Sequence, residues 1–212
     1  FRRVLFRSGM EATGLGDPPK PILPKPTAGG AKPSLLDFHP TEVARQLSLI
    51  EMALFKQIQP KECLNQAWNK AKLKHEAPHI LNMIDRFNQV SHWVSSEIVS
   101  ETKKDTRVKV LKRFIKIAWE CYAINSFNVI QEISAALNSA SIGRLKHTWK
   151  ELKPKTMAIW AKLQELLSPQ SNRKAFREVL ATCVPPCIPY LGIFLSDLTF
   201  IEEGNPDKLV LG

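Results

Sequence analysis

From Phe38 onward, the apolar residues of this chain recur every third or fourth position, in one run after another. That spacing is the period of an α-helix with one buried face. His39-Pro40-Thr41-Glu42 carries a helix-start signal, with Pro at the first helical position and an acid in the first turn. Val43, Leu47 and Ile50 then share a face, and Gln59-Pro60-Lys61-Glu62 repeats the start signal. Pro78 opens a long helix whose stripe is Ile80, Ile84, Phe87, Val94 and Ile98, with Met83 and Val90 beside it. Val108, Leu111, Ile115, Ala118 and Tyr122 form the next stripe. Asn125-Ser126 interrupts it and can cap a helix carrying Val129, Ile130, Ile133, Ala136 and Leu137. After a loop at Asn138–Arg144, helices are predicted over Lys155–Leu167, Ser171–Ala181 and Tyr190–Glu203, the last stopped by Gly204. Alternating runs between Asn-Gly or Asp-Gly turns are missing, and no internal repeat is found, so the domain is predicted all-α.

The first 36 residues break this pattern. They hold six of the chain's 15 prolines and almost no periodic apolar residues. Such a segment cannot bury enough apolar surface to offset its ordering entropy. We therefore expect a disordered basic tail over 1–36 and one domain over 37–212. The tail carries +4 of the chain's formal net charge of +10. Pro18 to Pro26 can adopt polyproline II and dock in an SH3-type aromatic groove, although a stiff solvated linker is the simpler reading. Phe1–Ser8, FRRVLFRS, back-translates to the end of a common sequencing adapter and is set aside as read-through. Without its three arginines the basic excess falls to +7.

Composition excludes several classes. The longest apolar run, Ile188–Leu195, is broken by Pro189 and Gly192 and falls far short of the ~20 residues of a transmembrane helix. The N-terminus lacks the apolar stretch of a secretory signal. Four Cys in 212 residues do not make a disulfide scaffold, which favours a reducing compartment.

His75-Glu76-Ala77-Pro78-His79 matches H-E-x-x-H, in which two His one helical turn apart hold zinc. Pro78 breaks that turn, so a loop with two exposed His is expected, and no metal. Cys183 and Cys187 have the spacing of neither a zinc knuckle nor a redox pair; like Cys63 and Cys121 they read as small apolar residues. Gly14 and Gly16 follow no strand and form no nucleotide fingerprint. Trp68, Trp93, Trp119, Trp149 and Trp160 sit among aliphatics at helical spacing, which indicates core rather than a base-stacking platform. The runs at Lys70–Lys74 and Lys103-Lys104 read as solvated faces, and nucleic acid is not an expected partner. Glu202-Glu203 is unusual, because acids in a final helical turn oppose the macrodipole.

Four blocks, in order, resemble one family. They are FHPTEVARQLSLIEMALFKQIQPKECLNQAW (Phe38–Trp68), RFNQVSHWVSSEIV (Arg86–Val99), FIKIAWECYAINSFNVIQEISAALNSASIGRLKHTW (Phe114–Trp149) and PPCIPYLGIFLSDLTFIEEGNP (Pro185–Pro206). Together they resemble the catalytic domain of Ras guanine-nucleotide exchange factors of the Son-of-sevenless type, nearest the Ras/Rap exchangers. The resemblance implies an all-helical bowl that releases GDP from a Ras-family small GTPase without covalent chemistry or a cofactor. In that family the GTPase's switch II packs into the bowl, and a helical hairpin pries switch I away from the nucleotide.

Carried over by position, the resemblance implies a switch II pocket of Ile84, Ala118, Asn125 and Tyr190, with Asp85 beside it. The first hairpin helix becomes Gly192–Glu203. Ser196 and Thr199 would face the nucleotide's metal and phosphates, and Glu203 would approach the phosphate loop, an anion replacing an anion. Asp85 stands where Son-of-sevenless has an Arg, and Thr199 where it has a Leu, which puts partner choice and the size of the wedge in question. The family continues beyond Asn205-Pro206 with a second hairpin helix, whereas Asp207–Gly212 trails off. The expectation is a domain cut inside its hairpin, exposing Ile193, Phe194, Leu195 and Leu198, aggregation-prone and poor at exchange. The expected location is cytoplasmic, with the basic tail available to anionic lipid at the inner membrane surface. The competing reading is a non-catalytic helical module that binds a GTPase or another partner without exchange.

Overall fold

The computed structural model describes residues 19–24 and 33–205. Residues 1–18, which include the adapter-like octapeptide, residues 25–32 and residues 206–212 lie outside the described residues. Among the described residues there are nine α-helices and no strand. They are α1 Pro40–Phe55, α2 Pro78–Val99, α3 Lys104–Ala123, α4 Phe127–Leu137, α5 Ala140–Gly143, α6 Lys146–Lys150, α7 Pro154–Leu166, α8 Gln170–Thr182 and α9 Leu191–Gly204. The all-α expectation is met. No described helix is long and apolar enough to cross a membrane.

Helix α3 is the spine. Val110, Leu111, Phe114, Ile115, Ile117, Ala118 and Cys121 are all buried along it, and it packs against α1, α4 and α7. So many buried positions exceed a single stripe because neighbours cover α3 on several sides. Burying each large side chain contributes about 1.5–3 kcal/mol, so this spine dominates the core. A second cluster gathers Phe55, Trp68, Ile80, Met83, Leu191 and Leu195 between α1, α2 and the base of α9.

Several local expectations need correction. Ile50 is exposed, and the buried face of α1 is Ala44, Leu47, Glu51 and Phe55. Gln59–Glu62 starts no long helix; it forms a 3-10 turn, Pro60–Cys63. The buried Glu62 carboxylate instead serves α2, accepting from the backbone N–H of His79 at 2.8 Å and of Ile80 at 3.2 Å. It also takes Gln59 N–H at 3.0 Å and meets His79 Nδ1 at 2.7 Å. Burial alone would raise this carboxyl, but these hydrogen bonds hold it below its ordinary value. A negative charge at a helix N-terminus is where the macrodipole favours it. The Asn138–Arg144 loop contains the single turn α5, and α6 follows it.

Pro78 keeps the two His of H-E-x-x-H off one helical turn, but only His75 is exposed; His79 is half-buried at the start of α2, against Glu62. His75 lies in a 3-10 turn, Ala77 has non-helical angles, and α2 begins at Pro78. The four cysteines are free; Cys121 is buried, and the other three are half-buried. Burial and the neighbouring Cys183 push the Cys187 thiol up to about 12, so it is protonated and inert at neutral pH. Of the five tryptophans, Trp68 and Trp160 are buried, and the other three pack partly buried against the core.

The interior also holds charge. Glu51 on α1 is fully buried, and its Oε1 accepts from Arg86 Nε of α2 at 3.3 Å. Its Oε2 accepts from Asn128 Nδ2 of α4 at 2.8 Å. The same amide nitrogen donates to Glu132 Oε1 at 3.0 Å. Burial, reinforced by the Glu51 charge, pushes Glu132 up to about 10, so it is neutral at pH 7. Its Oε2 is buried and has no hydrogen-bond partner among the described residues.

Two predictions follow from these carboxylates. Replacing Glu62 by Ala orphans the first N–H groups of α2 and leaves His79 without its partner. Urea denaturation should show a loss of about 2–3 kcal/mol; a loss within experimental error would remove Glu62 from its capping role. For Glu132, the folded protein binds a proton that the unfolded chain releases above the ordinary value of 4.5. Its stabilisation is complete below that pH and is lost as pH rises towards about 10, at up to ~1.4 kcal/mol per pH unit. Glu132→Gln should flatten the fall in stability between pH 6 and pH 9. An undiminished slope in the variant would place the titration elsewhere.

Candidate functional site

The junction between α3 and α4 organises the site. Asn125 takes a left-handed φ of 56°, a conformation Asn tolerates, and ends α3 sharply. The Ser126 hydroxyl does not cap α4, contrary to expectation; it is buried and makes no hydrogen bond. The cap is a distant carbonyl. Ile188 O accepts from Phe127 N at 2.8 Å and Asn128 N at 3.3 Å, while Ile188 N donates to Asn125 O at 2.9 Å. The Asn125 amide donates to Val184 O at 2.9 Å. The segment entering α9 is thereby tied to the start of α4.

That tie places Tyr190 over an open cleft of about 130 Å³. Met83, Ile84 and Phe87 of α2 form one wall, with Leu191, Gly192 and Leu195 of α9 opposite and Asn128 also lining it. The Phe87 and Tyr190 rings are 5.9 Å apart. Arg173 lies over Tyr190 at 5.5 Å, delivered by a left-handed turn over Ser171, Asn172 and Arg173. Gly192 is needed here, because a Cβ at that position would collide with the Tyr190 ring. Both Nδ2 hydrogens of Asn128 are committed to the buried carboxylates, which fixes the amide orientation.

The lining holds no Cys, His, Ser or carboxylate, so the cleft is built for packing rather than for acid–base or nucleophilic work. Its volume is well below the ~300–1,000 Å³ of small-molecule pockets, and it suits inserted side chains of a partner.

Helix α9 leaves the cleft as a half-anchored arm. Leu191, Ile193 and Leu195 are buried, Leu198 is packed against the second cluster and Phe194 is half-buried. The expectation that these residues are exposed is therefore wrong for this end of the helix: its base closes the core between α2 and the Trp68 region. The exposed apolar residues are further along, Phe200 at 72% and Ile201 at 60%. Arg177 of α8 clamps Asp197 with two bonds, at 2.8 and 2.9 Å, and Lys70 meets Glu202 at 3.2 Å. Lys70 thus offsets one of the two acids in the unfavourable last turn. Glu203 is exposed and has no ion pair among the described residues.

Of the residues expected at the site, Ile84 and Tyr190 share the cleft. Asp85 is exposed on α2, outside the cleft lining, and Asn125 braces the approach to α9 rather than lining it. Ala118 is a correction: at 0% exposure it belongs to the core, because α3 is covered on that side. Ser196 Oγ and Thr199 Oγ1 donate to the carbonyls of Gly192 and Leu195, one turn back in α9. Phe87, Asn128 and Arg173 were not singled out. A polar Asn128 four residues before Glu132, within an apolar helix, was a readable sign of a buried polar cluster.

The RasGEF domain family model matches residues 42–211. Ras guanine nucleotide exchange factor E of Dictyostelium discoideum is 47% identical over 194 residues, covering 91% of this chain and 19% of that protein. Factor A of the same organism is 44% identical over 192 residues, covering 91% and 31%. Factor P is 46% identical over 195 residues, covering 92% and 13%. The chain therefore spans less than a third of the length of each of these relatives. With a family match over most of its length, laid on an all-helical fold, this chain belongs to the RasGEF domain family.

Proposed function

We propose that this domain promotes GDP release from a Ras-family small GTPase. The observation that carries the proposal is the pairing of an apolar cleft, at Ile84 and Tyr190, with a helix anchored at its base and exposed at its end. The GTPase's switch II would seat apolar side chains between Ile84, Phe87 and Tyr190. Asp85 and Asn125, beside this contact, would help set partner choice, and Ala118 would act only through packing.

Helix α9 would then meet switch I and the nucleotide site with its distal half. Thr199 and Ser196 would lie on the side facing the metal and phosphates. Both hydroxyl protons are committed to α9 carbonyls. Each oxygen keeps a lone pair, and its bulk would exclude the metal. Glu203, unpaired and solvated, would compete with phosphate for the backbone N–H groups and lysine of the phosphate loop. Exchange of this kind is differential binding: the domain holds the nucleotide-free GTPase more tightly than the loaded one. No bond of the nucleotide is broken. The Arg177–Asp197 clamp would keep α9 stiff while it pushes.

The test is release of a fluorescent GDP analogue from a panel of Ras, Rap and Ral proteins by the full-length protein. At least one member should lose nucleotide faster. Glu203→Ala should slow that release by about tenfold or more while leaving the thermal midpoint unchanged. Stable binding of a GTPase with no acceleration anywhere in the panel would instead identify a non-catalytic interaction module. An unchanged rate in Glu203→Ala would strip that residue of its role.

A further inference from the structure

A second concavity, of about 600 Å³, lies between α3, α7 and the turn at Leu35–Asp37. It shares no residue with the Tyr190 cleft. Five cations line it: Lys109, Lys112, Arg113 and Lys116 of α3, and Lys155 of α7. Glu120 is the one carboxylate in the lining, and it accepts from Thr41 Oγ1 at 2.8 Å. Nearby Asp37 is likewise engaged, by Ser34 N–H at 2.7 Å and Ser34 Oγ at 2.9 Å. None of the four lysines forms an ion pair among the described residues. At the start of the same helix, by contrast, Lys104 meets Glu151 at 2.8 Å.

The lysine pattern works against the helix that carries it. Lys109, Lys112 and Lys116 are three and four residues apart, so neighbouring ammonium groups share one stripe, and like charges so placed destabilise a helix. An anion in the cleft would reverse that sign. The walls are held in place without one. Arg113 donates to the carbonyls of Leu36 and Phe38 and so fastens the Leu35–Asp37 turn to α3. Trp119, also in the lining, stacks on Tyr122 at 5.4 Å and carries Lys162 over its ring at 6.0 Å.

We propose that this cleft binds a compact, multiply phosphorylated ligand of the inositol-phosphate class. The five cations and Glu120 leave a formal +4 in a volume typical of small-molecule sites. A phosphate monoester carries about −1.5 to −2 charges, so two or three on one ring match it. An acidic peptide would need about four carboxylates in the same space. A nucleic acid strand would need an open stacking face, and that of Trp119 is flanked by Tyr122 and Lys162. Flexible ammonium groups suit phosphates that project at different angles. The ligand can be free in solution or be the headgroup of a membrane lipid, which would bring the domain to an anionic surface.

The experiment uses the full chain. Its binding to soluble inositol trisphosphate is measured by calorimetry. Its binding to vesicles is measured by co-sedimentation, with phosphatidylserine vesicles compared against phosphatidylinositol-bisphosphate vesicles of equal total charge. The proposal expects Lys112→Ala combined with Lys116→Ala to lose at least about tenfold in affinity. Lys155→Ala, on the other wall, should lose several-fold. Lys72→Ala combined with Lys74→Ala, which removes two exposed charges elsewhere, should change affinity less than about twofold. All the substituted lysines are solvent-facing or half-buried, and an unchanged thermal midpoint verifies folding. Binding to both forms, or to the lipid or the soluble form alone, supports the site and names the source. The proposal is overturned if neither form binds, or if vesicle binding tracks total charge whatever the headgroup. It is equally overturned if the control pair weakens binding as much as the cleft pair, or if poly-glutamate or an oligonucleotide binds more tightly than the trisphosphate.

Discussion

The buried cluster of Glu51, Arg86, Asn128 and Glu132 ties α1, α2 and α4 to one another at a single point. Apolar packing alone leaves helices free to slide by fractions of a turn, because one aliphatic contact resembles the next. Buried carboxylates allow no such tolerance. An Arg86 withdrawn from Glu51 would leave an uncompensated charge in the core, at a cost of about 3–5 kcal/mol. Two acids so close to one amide cannot both stay ionised: burial raises both carboxyls, Glu132 the further, to about 10, while Asn128 and the Arg86 guanidinium draw Glu51 back down. The arrangement sets the separation of α2 and α4, and Asn128 carries that setting to the surface of the Tyr190 cleft.

A second constraint fixes the far wall. Helix α4 lacks a side-chain cap and takes the Ile188 carbonyl instead, so the start of α4 and the entry to α9 cannot move apart. With Asn125 holding the Val184 carbonyl, the Pro-rich turn before Tyr190 becomes an extension of the α3–α4 junction. The cleft is therefore assembled from positions far apart in sequence, and its aromatic wall depends on backbone hydrogen bonds that no residue type announces.

This explains which features could be read from the residues. Helix starts at Pro40 and Pro78, and the stop at Gly204, were legible because proline and glycine act locally. Ile84 and Tyr190 were placed by resemblance, and the fold brings them together. The helical stripe put Ala118 on the buried face of its helix, where it lies; the pocket position carried over by resemblance does not appear in the cleft lining. The start signal at Gln59–Glu62 opens only a 3-10 turn, and its acid serves a neighbour: Glu62 caps α2 from another element. Arg173 could not be found at all. Its place over Tyr190 depends on three consecutive left-handed residues, and Ser171, Asn172 and Arg173 include no glycine to mark them.

The chain's positive charge is also divided by the fold in a way its sum conceals. Around α9 the cations are spent on acids: Arg177 on Asp197, Lys70 on Glu202. What remains there is an apolar cleft and, among the described residues, the unpaired carboxylate of Glu203. Along the outer face of α3 the reverse holds, with lysines that form no ion pair among the described residues and nearby acids held by hydroxyls and backbone. Exposed pairs contribute little to stability, so this sorting is not explained by the fold's own needs. It leaves two surfaces of opposite chemistry on one helical body, with no residue shared between their linings.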